Sequence, residues 1–216
     1  MNKATDLIAA ARAGNRAALD EMAGKQVLAN FGVATPNSIV IQDVTGAEAA
    51  CARLHPPLAL KVVSPDLLHK SDAGGVKVGL KNAQEVEAAI RAMMKLPAIV
   101  NARLDGFLLE EMAPAGQEMV IGGFNDPQFG PMVMVGLGGI FVEVMADVAF
   151  RICPVTRLDA EEMLDELKGA ALLKGARGRK PVSRSAIVDA LLKIGGEGGL
   201  LMTHAAVSLC AVVGVE

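Results

Sequence analysis

The sequence of 216 residues contains no tryptophan and no tyrosine, and its only aromatic side chains are six phenylalanines, 3% of the chain. Because 52% of the residues are hydrophobic, we expect an aliphatic and methionine core, large enough for one large or two small domains. The three cysteines, Cys51, Cys153 and Cys210, are odd in number and widely spaced. This pattern excludes a disulfide framework and a zinc motif and is typical of a reducing cytosol.

An excess of charge of one sign is also lacking. The 21 basic and 24 acidic residues give a net charge of −3 without a basic stripe, which argues against nucleic-acid binding. The nearly uncharged run Leu200–Val215 is interrupted by polar residues and is shorter than the roughly 20 residues of a bilayer span. Arg12 and Arg16 interrupt the N-terminal segment, which argues against a signal peptide. We therefore expect a cytoplasmic protein without a membrane partner.

Strands are predicted in the middle of the chain and helices on both sides of it, which indicates an α+β class. Short links containing glycine or Asp-Pro favour antiparallel pairing within mixed sheets. Helices are predicted at 3–31 (two segments), Ala47–Leu54, Ala83–Lys95, Asp159–Lys168 and Ser183–Ile194, the last with Ser183 as N-cap. Strands are predicted at Ser38–Gln42, Leu58–Val63, Val76–Leu80, Phe107–Met112, Glu118–Gly122, Pro131–Val135, Phe141–Met145 and Ala149–Cys153.

Lys61 is unusual because it lies in the predicted strand Leu58–Val63, in which every other residue is apolar. Alternate residues of a strand point to opposite faces, so both faces of this strand are expected to be buried. A lysine in such a place requires a charged partner, and a bound phosphate would supply one. The alternative is that the strand lies at a sheet edge, where the lysine side chain reaches water.

The loop after this strand contains Asp72, Ala73, Gly74 and Gly75. Glycines allow backbone amides to approach an anionic ligand closely, although a Gly-Gly pair between strands is more often only a turn. His69, in the same loop, is either a nucleophile that accepts a phosphoryl group or a surface histidine. The sequence lacks both the P-loop motif and the glycine-rich fingerprint of dinucleotide-binding folds, so those two folds are disfavoured.

Acidic residues follow the predicted strand Phe107–Met112. Glu110, Glu111 and Met112 end that strand, and Glu118 begins the next one after a turn. A strand–turn–strand unit of this kind is suited to present backbone groups to an adenine edge and a carboxylate to ribose hydroxyls. The alternative is that these are solvated carboxylates at a sheet edge.

A second glycine-rich link precedes another group of charged residues. Glu143 follows this link, and Asp147 and Arg151 flank the next predicted strand. Carboxylates near a nucleotide are candidate magnesium ligands, so Glu143 and Asp147 are candidates for that role. Arg151 is a candidate phosphate ligand because a guanidinium binds phosphate oxygens in a bidentate manner.

Together these residues resemble the ATP-grasp part of the NDP-forming acyl-CoA (acetyl-CoA) synthetases, which are related to succinyl-CoA synthetase. The resemblance runs from about Glu21 to about Leu192 and is carried by ALKVVSPDLLHKSDAGGVKVGL and LLEEMAPAGQEMVIGGFNDPQFGPMVMVGLGGIFVEVMADVAFRICPV. It implies an ATP-grasp fold with subdomain 1 at 21–112 and an incomplete subdomain 2 at 113–194. A helical extension at 1–20 would precede them, and an atypical tail at 195–216 would follow.

The resemblance also implies roles for individual residues. Lys25 and Lys61 would contact the nucleotide, the loop Asp72–Gly75 would cover its phosphates, Glu110 to Met112 would line the adenine, and Glu118 would bind the ribose. His69 would relay the phosphoryl group, with Lys61 and Arg151 as further catalytic residues. The implied cofactors are ATP or ADP (or GTP or GDP) with Mg²⁺. The implied partner is a CoA-binding subunit or domain that handles acyl-CoA or acyl phosphate.

The C-terminal segment departs from the family pattern. The family continues after the helix at Ser183–Ile194 to a strand with an ELDINPL-like motif that helps to hold magnesium, whereas here only Glu197 and Glu216 carry carboxylates. Whether the cause is a frameshift, a truncation or an unusual ending of the fold, we expect the main metal site to be incomplete and edge strands to be left unpaired. Two other functions therefore stay open: a nucleotide-binding module of an acetyltransferase-type protein without turnover, and an inactive remnant.

Overall fold

The computed structural model describes residues 3–16, 18–67, 70–114, 116–138, 146–175, 181–204 and 207–215. The chain divides into two compact units, which comprise Met1–Asn30 with Ala34–Ala113 and Phe31–Val33 with Pro114–Glu216. In the described part, each unit combines an antiparallel four-stranded sheet with helices. The predicted α+β class is therefore confirmed, while the subdomain boundaries predicted at residues 20, 112 and 194 stay predictions.

The first unit contains a sheet with strand order β1-β4-β2-β3. Its strands are β1 (Ser38–Ile41), β2 (Leu58–Val63), β3 (Val76–Leu80) and β4 (Gly106–Glu111). Its helices are α1 (Lys3–Ala13), α2 (Glu21–Asn30), α3 (Ala47–Cys51), α4 (Ala83–Met93) and α5 (Pro97–Val100). The bounds of β2 and β3 are those predicted from the apolar pattern, whereas α3 ends three residues before Leu54.

The two faces of this sheet differ in polarity. Leu58 and Leu60 of β2 lie on one face, together with Leu109 of β4, and all three are fully buried in the core of the first unit. Helix α4 adds Val86 and Ile90 to this core, because their spacing of four residues puts them on one side of the helix. The other face of the sheet is thus the one that carries polar side chains.

The second unit contains a sheet with strand order β7-β6-β5-β8. Its strands are β5 (Gln117–Asp126), β6 (Gly130–Leu137), β7 (Val148–Ile152) and β8 (Leu209–Val215). Its helices are α6 (Arg157–Glu166), α7 (Ala170–Leu173), α8 (Arg184–Gly195) and α9 (Leu200–Thr203). The strand predicted at Phe141–Met145 lies outside the described residues.

The expectation that edge strands are left unpaired is wrong for the edge of β5 that the C-terminal tail covers. Strand β8, in the atypical tail, pairs with β5 in an antiparallel register that runs from Gln117↔Val215 to Gly123↔Leu209. The tail was expected to leave this edge open because it lacks the family motif. Strand pairing is made by backbone groups and needs no particular side chains, however. The apolar tail therefore pairs with β5 although it lacks the motif.

Side-chain caps mark the start of the two longer helices of the second unit, α6 and α8. The Ser183 hydroxyl accepts a hydrogen bond from the Ala186 amide at 3.3 Å, as predicted for the start of α8. Thr156 and Asp159 form a reciprocal capping box at the start of α6. Helices α6 and α8 pack together beside β6, whose Val133 is fully buried. Within the described residues, no helix has the length and apolar character needed to cross a bilayer.

Candidate functional site

Five charged side chains meet on the polar face of the sheet in the first unit. Lys61 projects from β2, and the β2–β4 register places Glu110 beside Ala59, so that Glu110 and Lys61 are diagonal neighbours on this face. Glu21 and Lys25 come from the first turns of α2, where a spacing of four residues puts them on one side of the helix. Lys70 follows β2 in the chain. We call these five residues the lysine–glutamate cluster.

The Glu21 carboxylate is shared among all three lysines of the cluster. Its Oε1 accepts a hydrogen bond from Lys61 Nζ at 2.6 Å and lies 3.3 Å from Lys25 Nζ. Its Oε2 accepts a hydrogen bond from Lys70 Nζ at 3.2 Å. Glu110 Oε1 accepts a hydrogen bond from Lys61 Nζ at 3.1 Å, and Glu110 Oε2 forms an ion pair with Lys25. Each ammonium therefore has a carboxylate partner.

The cluster is partly withdrawn from water and carries an unbalanced positive charge. The side chain of Glu110 is only 10% exposed, and those of Lys25, Lys70, Lys61 and Glu21 are between 16% and 25% exposed. Three ammonium groups face two carboxylates, which leaves one positive charge in excess. Charge interactions are stronger in such a place than in open solvent, so the cluster is suited to bind an additional anion.

The ionisation of the cluster reflects both burial and neighbouring charges. Burial by itself would raise the pKa of Glu21, but the hydrogen bond from Lys61 and the charges of Lys61, Lys25 and Lys70 outweigh it and hold this pKa at about 2. Burial lowers the pKa of Lys25, and the charges of Lys61 and Lys70 lower it further, while Glu21 raises it. The carboxylate of Glu21 is therefore ionised throughout the neutral range.

The structure changes the interpretation of Lys61. The alternative of a lysine at a sheet edge is wrong, because β2 lies between β4 and β3. A charged partner is present, as the apolar surroundings require, but it consists of the Glu21 and Glu110 carboxylates. These partners lie 40 and 49 positions away in the chain.

The predicted adenine hinge makes contacts within the protein. Glu111 Oε1 accepts hydrogen bonds at 2.9 Å from the His55 amide and pairs with His55 Nδ1. The amide of Glu111 donates to the Asn37 carbonyl and that of Met112 donates to the Pro57 carbonyl, each at 3.0 Å. These two amides are therefore used within the protein, and the predicted presentation of backbone groups of Glu110 to Met112 to an adenine edge stays a prediction.

The glycine loop likewise satisfies two of its own amides. Gly74 donates to the Ser71 carbonyl at 3.0 Å, and Gly75 donates to the Lys70 carbonyl at 2.7 Å. Gly74 adopts a φ of 72°, which only glycine adopts without strain. Both glycines thus take part in a turn, while the predicted contact of the loop Asp72–Gly75 with nucleotide phosphates stays a prediction. Lys70, which precedes this loop, contributes to the cluster. Asp72 and Ala73 lie in the same turn.

The second unit gives Asp147 a structural role instead of the predicted metal-binding one. Asp147 is 3% exposed, and its two carboxylate oxygens accept hydrogen bonds from the amides of Lys168 and Gly169 at 2.7 and 2.8 Å. Within the described residues, no group of three or more acidic, histidine or cysteine side chains is arranged to hold a metal ion. The metal assignment of Asp147 is therefore withdrawn.

Arg151 also binds within its own unit. Its guanidinium makes a bidentate contact with the Glu166 carboxylate of α6, with Nη1 to Oε2 at 3.0 Å, and Nη1 also donates to the Phe150 carbonyl. The hydrogen bonds that Arg151 donates to Glu166 raise the pKa of Arg151. The predicted phosphate contact of Arg151 is not supported, because a carboxylate already occupies the fork of donors.

The predicted roles of three further residues are not tested by the structure. Glu118 lies exposed in β5, and in the described part of the chain its side chain makes no ion pair, so its predicted ribose contact stays a prediction. His69 and Glu143 lie outside the described residues, and their predicted roles stay predictions as well. Glu21 was missed, although its position four residues before Lys25 on a predicted helix is the spacing of an ion pair.

Comparison with known proteins identifies the family. Residues 10–196 match the ATP-grasp domain. The ADP-forming acetate–CoA ligase I β subunit of Pyrococcus furiosus is 42% identical over 200 residues, which cover 89% of this chain and 84% of that subunit. The ADP-forming acetate–CoA ligase I of Archaeoglobus fulgidus is 40% identical over 172 residues, and the chain spans only 25% of its length.

Solved structures show the same relationship. The Ca. Korarchaeum cryptofilum enzyme ACD1 in complex with coenzyme A aligns with a TM-score of 0.89 and 38% identity, over 98% of this chain and 93% of that one. A second structure from this organism, of acetyl-coenzyme A synthetase 1 with coenzyme A and Mg-AMPPCP, gives a TM-score of 0.82 and 37% identity over 98% of this chain and 91% of that one. In that structure a phosphohistidine segment points towards the nucleotide binding site.

Proposed function

Since the chain belongs to the ATP-grasp family, we propose that it is the nucleotide-binding, β-type subunit of an NDP-forming acyl-CoA synthetase. The observation that carries this proposal is the lysine–glutamate cluster, a half-buried group of three lysines with one excess positive charge. Two of its lysines, Lys25 and Lys61, stand where the family resemblance implies nucleotide contacts. The similarity to a β subunit over 84% of that subunit's length supports the same function.

The chemistry proposed for this site is phosphoryl transfer between a nucleotide and a histidine. Such transfer depends mostly on positioning and on neutralising phosphate charge. Lys25, Lys61 and Lys70 would neutralise the phosphate oxygens, and Glu118 would bind the ribose hydroxyls. His69 would accept or donate the phosphoryl group, which links the nucleotide to an acyl phosphate and acyl-CoA on a partner.

Magnesium is part of this proposal as the ion that accompanies the nucleotide. Mg²⁺ is commonly held by one or two carboxylates together with the phosphates of the substrate, and a related synthetase was solved with Mg-AMPPCP. Asp147 does not fit as a ligand, because backbone amides occupy both of its oxygens. The lysines of the cluster are therefore the groups of this chain that would neutralise the phosphate charge.

The proposed partner is a CoA-binding subunit or domain. The Archaeoglobus relative, of which this chain spans 25%, is a single long chain, whereas the Pyrococcus relative is a separate β subunit. A β-type subunit supplies the nucleotide site and requires the partner for acyl-CoA or acyl phosphate. Synthetase turnover is therefore expected only when the two are combined.

Calorimetric titration of the full chain with Mg-ADP and Mg-ATP tests the nucleotide site. We expect saturable binding that is weakened about tenfold or more by Lys61→Met, since a hydrogen bond to a charged group contributes about 1.5–3 kcal/mol. Lys70→Met is expected to act in the same direction. Lys81→Met, at an exposed lysine outside the cluster, is the control and should bind like the unsubstituted chain. Absence of binding by the unsubstituted chain would contradict the proposal.

Labelling with γ-³²P-ATP and magnesium tests the transfer step. We expect an acid-labile, base-stable label on the full chain, with or without a CoA-binding partner, and its loss in His69→Asn. Nucleotide binding without any label under both conditions would favour the alternative of a binding module without turnover. Failure to bind nucleotide at all would favour the inactive remnant.

A further inference from the structure

We propose that Glu21 is a positioning residue for the nucleotide site, because its carboxylate holds the ammonium groups of Lys25, Lys61 and Lys70 together before any phosphate arrives. The inference rests on the proposed function. It adds to the nucleotide site a glutamate that the pattern of lysines alone does not indicate. It concerns how the site is prepared, not which residue reacts.

The geometry of the cluster requires a bridging anion. Both oxygens of Glu21 are used: Oε1 lies 2.6 Å from Lys61 Nζ and 3.3 Å from Lys25 Nζ, and Oε2 lies 3.2 Å from Lys70 Nζ. Of the three lysines of the cluster, Glu110 contacts Lys25 and Lys61 but not Lys70. Glu21 is therefore the carboxylate that joins the lysine of the loop to the lysines of α2 and β2.

Without Glu21 the three ammonium groups would repel one another in a half-buried place. The amine of Lys25 is the most vulnerable, because its side chain is only 16% exposed. Desolvation and the charges of Lys61 and Lys70 lower the pKa of Lys25, while Glu21 raises it and Glu110 forms its other ion pair. Loss of the Glu21 charge is thus expected to shift Lys25 towards its neutral form and to release Lys70 into solvent.

The contacts of Glu21 leave the lysines able to bind phosphate. An ammonium group has three N–H donors. Lys61 uses one on Glu21 and one on Glu110, and Lys70 uses one on Glu21. At least one donor of Lys61 and two of Lys70 are therefore free of these carboxylates, so a phosphate can join the cluster without displacing Glu21.

The first test measures Mg-ADP affinity of the full chain between pH 7 and pH 10, where nucleotide phosphates are already ionised. We expect Glu21→Gln to weaken binding about tenfold at neutral pH and to move the alkaline loss of binding to lower pH, because Lys25 loses the carboxylate charge that favours its ammonium form. Glu21→Asp, which keeps the charge, should keep the alkaline limb of the unsubstituted chain. Glu48→Gln, at an exposed glutamate of α3, is the matched control.

The second test needs no nucleotide. The reactivity of Lys25 with an amine-acylating reagent, followed by mass spectrometry across the same pH range, should reach half its maximum at a lower pH in Glu21→Gln than in the unsubstituted chain. An unchanged Lys25 profile, or tighter Mg-ADP binding by Glu21→Gln at every pH, overturns the inference while the proposed function stands. If the unsubstituted chain binds no Mg-ADP, the proposed function fails and this inference fails with it.

Discussion

At the scale of single residues, the ionisation of Glu21 couples the stability of the chain to pH. Its pKa is about 2 in the folded chain, against an ordinary value of 4.5. A carboxyl group with a lowered pKa stabilises the fold fully above its unfolded pKa, and this contribution is lost as the pH falls towards the folded pKa. The relevant window for Glu21 therefore extends from about pH 5 down to about pH 2.

We predict that the free energy of unfolding falls across this window and that Glu21→Gln reduces the fall. The shift corresponds to somewhat over 2 pKa units at about 1.4 kcal/mol each, and solvent screening of the partly exposed group reduces this to about 2 kcal/mol. Urea unfolding at pH 6 and pH 3 measures the difference. Glu48→Gln should leave the pH dependence unchanged, and an equal dependence in Glu21→Gln would contradict the assignment.

A second residue, Asp147, has a role that no local pattern indicates. Its buried carboxylate accepts the amides of Lys168 and Gly169, so it anchors the segment that leads into α7. Asp147→Asn replaces one acceptor oxygen with a donor that faces an N–H group. An unsatisfied buried donor costs about 1–3 kcal/mol.

We therefore predict that Asp147→Asn lowers the free energy of unfolding by about 2 kcal/mol, equally with and without magnesium. Denaturant unfolding in EDTA and in MgCl₂ provides the measurement. Asp6→Asn, at an exposed position of α1, should change stability little. A destabilisation that appears only in the presence of Mg²⁺ would restore the metal-binding interpretation.

At the scale of the elements, the junction of β1 and β4 depends on the glycine that begins β4. Gly106 has a φ of 130°, and a Cβ there would lie 2.7 Å from the Ile41 carbonyl oxygen. A side chain at this position is therefore both strained and blocked by backbone. Gly79, in β3, has a φ of 79° but no atom within 4 Å of the corresponding Cβ.

This contrast yields a matched pair of substitutions. We predict that Gly79→Ala costs about 1 kcal/mol for the backbone conformation alone, and that Gly106→Ala costs about 2 kcal/mol more because β1 must move. Thermal and denaturant unfolding of both variants give the comparison. Equal costs would show that the approach of β1 to β4 is not close enough to exclude a methyl group.

The apolar pattern of the sequence predicts the limits of some strands and not of others. The strict limits of β2 and β3 were predictable because polar or turn residues flank each apolar run. Strand β5 continues to Asp126, four residues beyond its predicted end at Gly122. Gly122 and Gly123 both pair with β6 and β8, because neighbours on both sides stabilise residues with low strand propensity.

At the scale of the whole molecule, the C-terminal tail completes the sheet of the second unit. Strand β8 covers β5 over seven residue pairs, and an exposed strand edge promotes aggregation. We predict that deletion of residues 208–216 destabilises the second unit and produces oligomers at concentrations at which the full chain stays dispersed. Light scattering and gel filtration at several concentrations measure this. A truncated chain with unchanged behaviour would show that β5 needs no partner at this edge.

The sequence by itself determined the α+β class, the limits of β2 and β3, the Ser183 cap and the family, because these depend on neighbouring residues or on long, specific motifs. Only the tertiary structure decided the partners of the charged side chains. Lys61 meets Glu21 and Glu110 across 40 and 49 positions, and Arg151 is held by Glu166. The pairing of β8 with β5 was likewise decided only by the tertiary structure. Contacts between distant segments depend on how the elements pack, and they leave no periodic signal in the sequence.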